Sequence, residues 1–297
     1  MKLPGFLIVG AMKSGTTTLY RDLQSNPRIF MPDDKEPESL IHDAVRGEEG
    51  RAAYASLFRR ARDNQLCGEA STAYTKRPTY GEVPDRARSV LGATLKIIYV
   101  VREPVARAIS HHRHLAGIKQ LPADFDAAVR RDNTLIDYGR YAMQIEPWIE
   151  AFGCEQVRVI CFEQYVEARP ATVDGLCRFL GVRDQPHQVD SQRVYNKSEG
   201  KPQMVGVWRG LRGNFLYDRI VRPLLPPPVR ERLRRALLPR EQAPPAPPSS
   251  EMLDRMVETF GDDTERLRGL LGLEAPFWNF EDVRAAYGGT GRSADGG

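Results

Sequence analysis

Short uninterrupted apolar runs, each followed by a helical period, fill the first two thirds of the chain. Gly5-Phe6-Leu7-Ile8-Val9-Gly10, the run Leu95 to Val101 and the run Gln156 to Phe162 each read as a buried strand. Thr16 to Leu23 reads as a helix that ends before Asn26-Pro27, because a residue preceding proline is pushed out of the helical region. Pro104 suits the first turn of the helix after the second run, where its missing N–H is no loss. After the third run, Val173, Leu176, Cys177 and Leu180 recur at helical spacing. Strands alternating with helices predict an α/β architecture built on a mostly parallel sheet.

The pattern changes at Arg222. Residues 223 to 248 hold Pro226-Pro227-Pro228 and Ala243-Pro244-Pro245-Ala246-Pro247-Pro248, which favour extended backbone. Between the two lies a short basic amphipathic stretch, Val229 to Leu238, read as a solvated helix, a lid or a contact for an anionic surface. Glu251 to Leu271 then resumes a helical period through Leu253, Met256, Val257, Phe260, Leu267, Leu270 and Leu271. Gly288 to Gly297 reads as a disordered tail.

Composition adds limits more than direction. With 297 residues the chain has enough interior to fold without disulfides or a structural metal. Its 43 Lys and Arg against 39 Asp and Glu give a net charge of +4, too mild for a nucleic-acid binder, so any anion must be held by local clusters. Cys67, Cys154, Cys161 and Cys177 form no Cys-x-x-Cys pair, which predicts reduced thiols and no metal site. The apolar run Phe6 to Met12 is far shorter than the ~20 residues of a membrane span. The reading is a cytoplasmic protein.

The local chemistry is strongest at Gly10-Ala11-Met12-Lys13-Ser14-Gly15-Thr16-Thr17-Thr18, between a strand and a helix. Such a turn aims backbone N–H groups and the positive end of a helix at one point, a ready anion site. It is close to Gly-x-x-x-x-Gly-Lys-[Ser/Thr], yet Thr16 stands where a nucleoside triphosphatase has its lysine, and Lys13 lies inside the loop. The second strand then ends on Arg102 rather than on a metal-holding aspartate, which argues against ATP hydrolysis and for direct binding of phosphate groups. On the helix starting near Pro104, Arg107, Ser110, His111 and His114 share one face. Arg102 with Ser110 would make a second anion subsite. The three histidines His111, His112 and His114 cannot all face it, so none is assigned a catalytic role.

Lys13-Ser14-Gly15-Thr16 after a buried strand, with Arg102 and Ser110 in Arg-Glu-Pro-x-x-Arg-Ala-x-Ser, resembles the sulfotransferases that use 3′-phosphoadenosine 5′-phosphosulfate (PAPS). The likeness is to the heparan-sulfate N- and 3-O-sulfotransferase branch and its bacterial relatives. Asn26-Pro27, Lys35-Glu36, Gly68-Glu69-Ala70-Ser71, Tyr138-Gly139-x-Tyr141 and Phe179-Leu180-Gly181 follow in the expected order, and Leu270-Leu271-Gly272 to Trp278 resembles the family's ending. The resemblance implies a P-loop-like three-layer fold, a single domain over residues 1–287 with 222–250 as an insert. It implies that Lys13, Ser14, Gly15, Thr16 and Thr17 bind the 5′-phosphosulfate of PAPS, and Arg102 and Ser110 the 3′-phosphate. Lys197-Ser198-Glu199-Gly200-Lys201 resembles the late loop that closes over that phosphate, through Lys197, Gly200 and Lys201.

The implied activity is in-line sulfuryl transfer to a hydroxyl or amine of a carbohydrate, glycolipid or secondary-metabolite acceptor, without a metal. Lys13 would stabilise the leaving 5′-phosphate and Glu36 would be the base, with Glu69 as the alternative. Two segments depart from the heparan branch: Pro37-Glu38-Ser39-Leu40 replaces an aromatic pair, and Glu69-Ala70-Ser71-Thr72 replaces Glu-Lys-Thr-Pro. A catalytically silent nucleotide-binding scaffold and a nucleotide kinase are the competing readings.

Overall fold

The computed structural model describes residues 2–182 and 246–288. Five parallel strands, β1 (Phe6–Gly10), β2 (Ile29–Phe30), β3 (Leu66–Ala70), β4 (Lys96–Val101) and β5 (Val157–Cys161), lie in the order β2-β3-β1-β4-β5. Eleven helices are described: α1 (Thr16–Gln24), α2 (Glu48–Ser56), α3 (Val83–Leu91), α4 (Pro104–Gly117), α5 (Phe125–Arg131), α6 (Thr134–Asp137), α7 (Tyr141–Phe152), α8 (Phe162–Glu167), α9 (Arg169–Phe179), α10 (Ser250–Leu271) and α11 (Phe280–Gly288).

Beyond Lys96 at the start of β4, β1 and β4 are apolar because both of their faces are covered. Leu7, Val9, Ile97, Tyr99 and Val101 face a cluster with Ala87 of α3 and Ile145 and Trp148 of α7. Phe6, Ile8, Ile98 and Val100 face the other way, against Leu19 and Leu23 of α1 and Val173 and Cys177 of α9. A third cluster joins Val105 and Ala108 of α4 to Phe125 of α5 and Met256 and Phe260 of α10. Helix–sheet–helix layering, the mostly parallel sheet and all three strands expected from the apolar runs are present, with Phe162 falling just past β5 as the first residue of α8.

Strand order decides where a ligand can sit. β1 sends its chain towards β2 on one side, whereas β4 sends its chain to β5 on the other, so the sheet has a switch point between β1 and β4. In an open parallel sheet the crevice at the carboxyl ends of two such strands is the usual ligand site. The loop Ala11–Gly15 leaves β1 there, and Arg102 leaves β4 there.

The N-terminal helix of the domain is pinned from behind. Arg169 of α9 donates to both oxygens of Asp22 on α1, from Nε at 2.7 Å and Nη2 at 2.6 Å, and Tyr165 of α8 donates to the same carboxylate. Asp22 and Arg169 are each about 4% exposed. The thiols of Cys67, Cys161 and Cys177 are buried and that of Cys154 is exposed, all unbonded to one another.

Candidate functional site

The loop after β1 is fixed by the strands beside it. Ala11 N donates to Val100 O at 2.7 Å, and Thr75 Oγ1 donates to Val9 O at 2.7 Å. Lys13 and Gly15 both have left-handed backbone, with φ 70° and 82°. At Gly15 a side chain is excluded twice over, since a Cβ would also lie 2.5 Å from the Phe162 ring. Gly15 is the N-cap of α1, and neither a side-chain cap nor an acidic residue in the first turn neutralises that helix end. Its N–H groups are therefore oriented for an anion. Ser14 and Thr16 are buried beneath the loop, Lys13 and Thr17 half-exposed.

Arg102 joins this loop directly, Nη1 donating to Lys13 O at 3.2 Å, while its guanidinium lies over the Phe162 ring at 5.3 Å. Tyr141, at the start of α7, donates to Arg102 O at 2.6 Å and so fixes the backbone of the residue. Glu103 caps α4, accepting from Val105 N at 2.6 Å and Ala106 N at 2.8 Å, just where Pro104 occupies the first helical position.

The face of α4 predicted to look at the site is buried and under-satisfied. Among the described residues Ser110 Oγ, His111 Nδ1 and Arg107 Nε and Nη1 are buried without a hydrogen-bond partner, although Arg107 Nη2 does donate to Leu135 O. Burial pulls Arg107 below its ordinary range. Burial, then the positive charges of Arg107, Lys76, His114 and Lys13, push His111 down to about 2, so it is a neutral imidazole stacked on Tyr138. His112 instead meets Pro122 O at 2.8 Å, and His114 is exposed, so the three rings go three ways. Unpaired buried donors beside Lys13 and Arg102 are what a multiply charged oxyanion would satisfy. The residues present fit the phosphate groups of PAPS.

Glu36 stands at the end of β3, the strand beside β1. Its N–H donates to Ala70 O, the last residue of β3, at 2.9 Å, and Glu38 N donates to Ser71 Oγ at 3.1 Å. Thr72 donates to Glu36 Oε2 at 3.0 Å and Lys35 pairs with Oε1, leaving the side chain about one third exposed. Thr72 begins the short 3₁₀ turn Thr72–Thr75 whose last residue holds Val9, so Glu36 and the β1 loop hang on one turn. Lys76 follows it, drawn below its ordinary range by burial against the opposing pull of Glu36 and Glu38.

Glu69 has a different setting. It is wholly buried, accepts from Tyr54 on Oε2 while Oε1 has no hydrogen-bond partner among the described residues, and is raised above the usual carboxylate range by that burial against the opposing pull of the Tyr54, Tyr74 and Ser71 hydroxyls. Tyr74 in turn accepts from Leu40 N at 3.2 Å, so Glu69 lies at the root of the loop that presents Glu36. Lys197, Gly200 and Lys201 fall outside the described residues. The structure thus gathers Lys13, Ser14, Gly15, Thr16, Thr17 and Arg102 at the carboxyl ends of β1 and β4, with Ser110 on the buried face of the helix that follows Arg102 and Glu36 at the end of the neighbouring β3. Sequence reasoning missed the support given by Phe162, Tyr141 and Thr72; the only signal for Tyr141 was its place in Tyr138-Gly139-x-Tyr141.

Residues 3–203 match a family model described as a sulfotransferase domain. The chain belongs to the sulfotransferase family. It is 27% identical over 210 residues to heparan sulfate glucosamine 3-O-sulfotransferase 3B1 of Homo sapiens, a match covering 68% of this chain and 51% of that protein. To bifunctional heparan sulfate N-deacetylase/N-sulfotransferase 4 of Mus musculus it is 30% identical over 220 residues, covering 66% of this chain and 23% of the relative. The chain therefore spans about half the length of the first of these relatives and less of the second. The crystal structure of a sulfotransferase from Alicyclobacillus acidocaldarius shares the fold at a TM-score of 0.61 and 24% identity, covering 93% of this chain and 98% of that one. The P-loop-like α/β sulfotransferase architecture is the fold of this chain. No helix among the described residues is long and apolar enough to cross a membrane, and no Cys, His, Asp and Glu cluster with the makings of a metal site occurs among them.

Proposed function

We propose that the chain is a PAPS-dependent sulfotransferase that moves a sulfuryl group onto a hydroxyl or amine of a carbohydrate, glycolipid or secondary-metabolite acceptor. The observation that carries this reading is the set of buried, unpaired donors on α4 beside Arg102 and Lys13, at the same strand edge as an uncapped helix N-terminus. Two anion-binding centres on either side of the β1/β4 crevice suit a nucleotide with acid groups at both ends of its ribose. Lys13 and the first N–H groups of α1, with Ser14, Gly15, Thr16 and Thr17, would hold the 5′ end; Arg102 and Ser110 would hold the 3′-phosphate.

When bound, PAPS supplies the sulfuryl group on a bridging oxygen of its 5′-phosphate. The chain's own work is alignment and charge control, as in phosphoryl transfer. The Lys13 ammonium would offset the negative charge developing at the 5′ end of the bound nucleotide, and preorganised N–H dipoles would do so without reorganising. Glu36, held by Thr72 and partly open to solvent, takes the acceptor's proton on a carboxylate oxygen. Its accessibility favours it over Glu69, which no acceptor can reach without opening the Tyr54–Tyr74 enclosure.

The test is binding followed by turnover. 3′-Phosphoadenosine 5′-phosphate should raise the melting temperature without added Mg²⁺ and ATP should do so much less, since a ligand stabilises by its affinity for the folded state. Equal shifts by the two, or an absolute metal requirement, would count for a kinase. Donor-dependent sulfate incorporation across a panel of sugars, lipids and phenols then identifies the acceptor; stabilisation without incorporation into any of them would favour the silent scaffold.

A further inference from the structure

Arg102 has two acidic neighbours that could neutralise it. Glu103 follows it in the chain, and Glu163 follows Phe162, the ring on which the guanidinium rests. An ion pair with either would compete with a phosphate for the same fork of N–H donors. No such pair forms with Arg102 among the described residues; its Nη1 goes to the Lys13 carbonyl.

Both carboxylates are engaged elsewhere. Glu103 accepts from Val105 N and Ala106 N, and its Oε2 also from the Tyr287 hydroxyl of α11 at 3.2 Å. Glu163 Oε1 accepts from Glu103 N at 3.0 Å, and Oε2 from the Cys161 thiol at 3.0 Å and the Trp278 indole at 3.4 Å. The Cys161 thiol, pushed up to about 12 by burial and by Glu163, stays a donor across the neutral range. Trp278 also packs on Tyr141 with ring centroids 5.9 Å apart, and Tyr141 holds the Arg102 carbonyl. One C-terminal segment therefore touches both acids and the brace of the arginine's backbone. Glu103 is bound into a helix cap, while Glu163 is exposed and has the weaker anchorage.

We propose that Trp278 and Tyr287 are positioning residues for the donor site, holding Glu163 and Glu103 off Arg102 so that its guanidinium stays open to phosphate. This rests on the donor reading above. The segment acts by keeping a local charge pair unmade, which gives it an electrostatic signature that packing alone lacks.

The full chain is titrated calorimetrically with 3′-phosphoadenosine 5′-phosphate at low salt as wild type, Trp278→Phe, Glu163→Gln and the double variant. Phenylalanine keeps a ring against Tyr141 and removes the indole N–H. Trp278→Phe should weaken binding by about two- to fivefold, the range of an exposed charge pair, and raise the donor KM while leaving kcat unchanged. Adding Glu163→Gln should restore the affinity, and high salt should close the gap. Glu163→Gln alone should bind at least as tightly as wild type. Unchanged affinity in Trp278→Phe, a loss that survives both Glu163→Gln and high salt, or weakened binding by Glu163→Gln alone overturns the proposal. Wild-type protein that takes up no nucleotide overturns the donor reading, and this inference with it; wild-type uptake with any of those three results overturns this inference alone.

Discussion

Glu36 and His111 show how much the surroundings of one side chain decide its chemistry. Glu36 keeps one oxygen on Lys35 and the other on Thr72 while remaining reachable. Glu36→Gln keeps the shape and removes the basic oxygen, so turnover should fall by about 10²–10⁴-fold with nucleotide affinity unchanged. Undiminished turnover in a donor assay would remove Glu36 from the proton transfer. His111 is held neutral, with its folded pKa, about 2, far under the ordinary 6.5. The unfolded chain then binds more protons than the native one below about pH 6.5, so stability falls as pH drops through that value, by up to about 1.4 kcal/mol per pH unit for this group. His111→Gln should flatten the acid limb of a urea-midpoint profile; an unaltered limb would show that other groups cause it. Both residues stood out in the sequence, Glu36 only through a resemblance and His111 only as one of three similar candidates. What could not be read there was which histidine the fold would seal in.

At the level of elements, the strand–loop–helix of residues 6–24 and the capped start of α4 were legible because their signals are local. An apolar run, a glycine before a helix and a proline at a first turn mean the same in most contexts. β3 was not legible as a strand, since Gly68 and Glu69 are poor strand formers. Tertiary contacts override them: the Phe6 ring fills the space where a Gly68 Cβ would stand, and Tyr54 donates to one oxygen of Glu69. β2, two residues long, is too short for any period to register. The link between α1, α8 and α9 through Asp22, Tyr165 and Arg169 joins residues 143 and 147 positions apart, which no local pattern announces. Removing the carboxylate there leaves a buried guanidinium without its partner, so Asp22→Ala should cost roughly 3–5 kcal/mol. Chemical denaturation measures it, and a loss below 1 kcal/mol would mean that water replaces the carboxylate at little cost. Because α1 begins at the anion loop, the same variant should weaken nucleotide binding.

For the molecule as a whole, alternation of strands and helices was enough to foresee the layers, but not the strand order that turns them into a site. The order β2-β3-β1-β4-β5 brings Lys13, Glu36, Thr72 and Arg102 to the same rim although the chain separates the first and last by 89 residues. Family membership and the shared sulfotransferase fold fit that arrangement. A parallel sheet in which β1 lies between two later strands cannot form its central pairings until the chain has returned to it twice. Such distant pairings are slow to close. Capture of the nucleotide would therefore report that the last central strand has docked, and a refolding chain would acquire its ligand late and all at once, long after its first helices had formed.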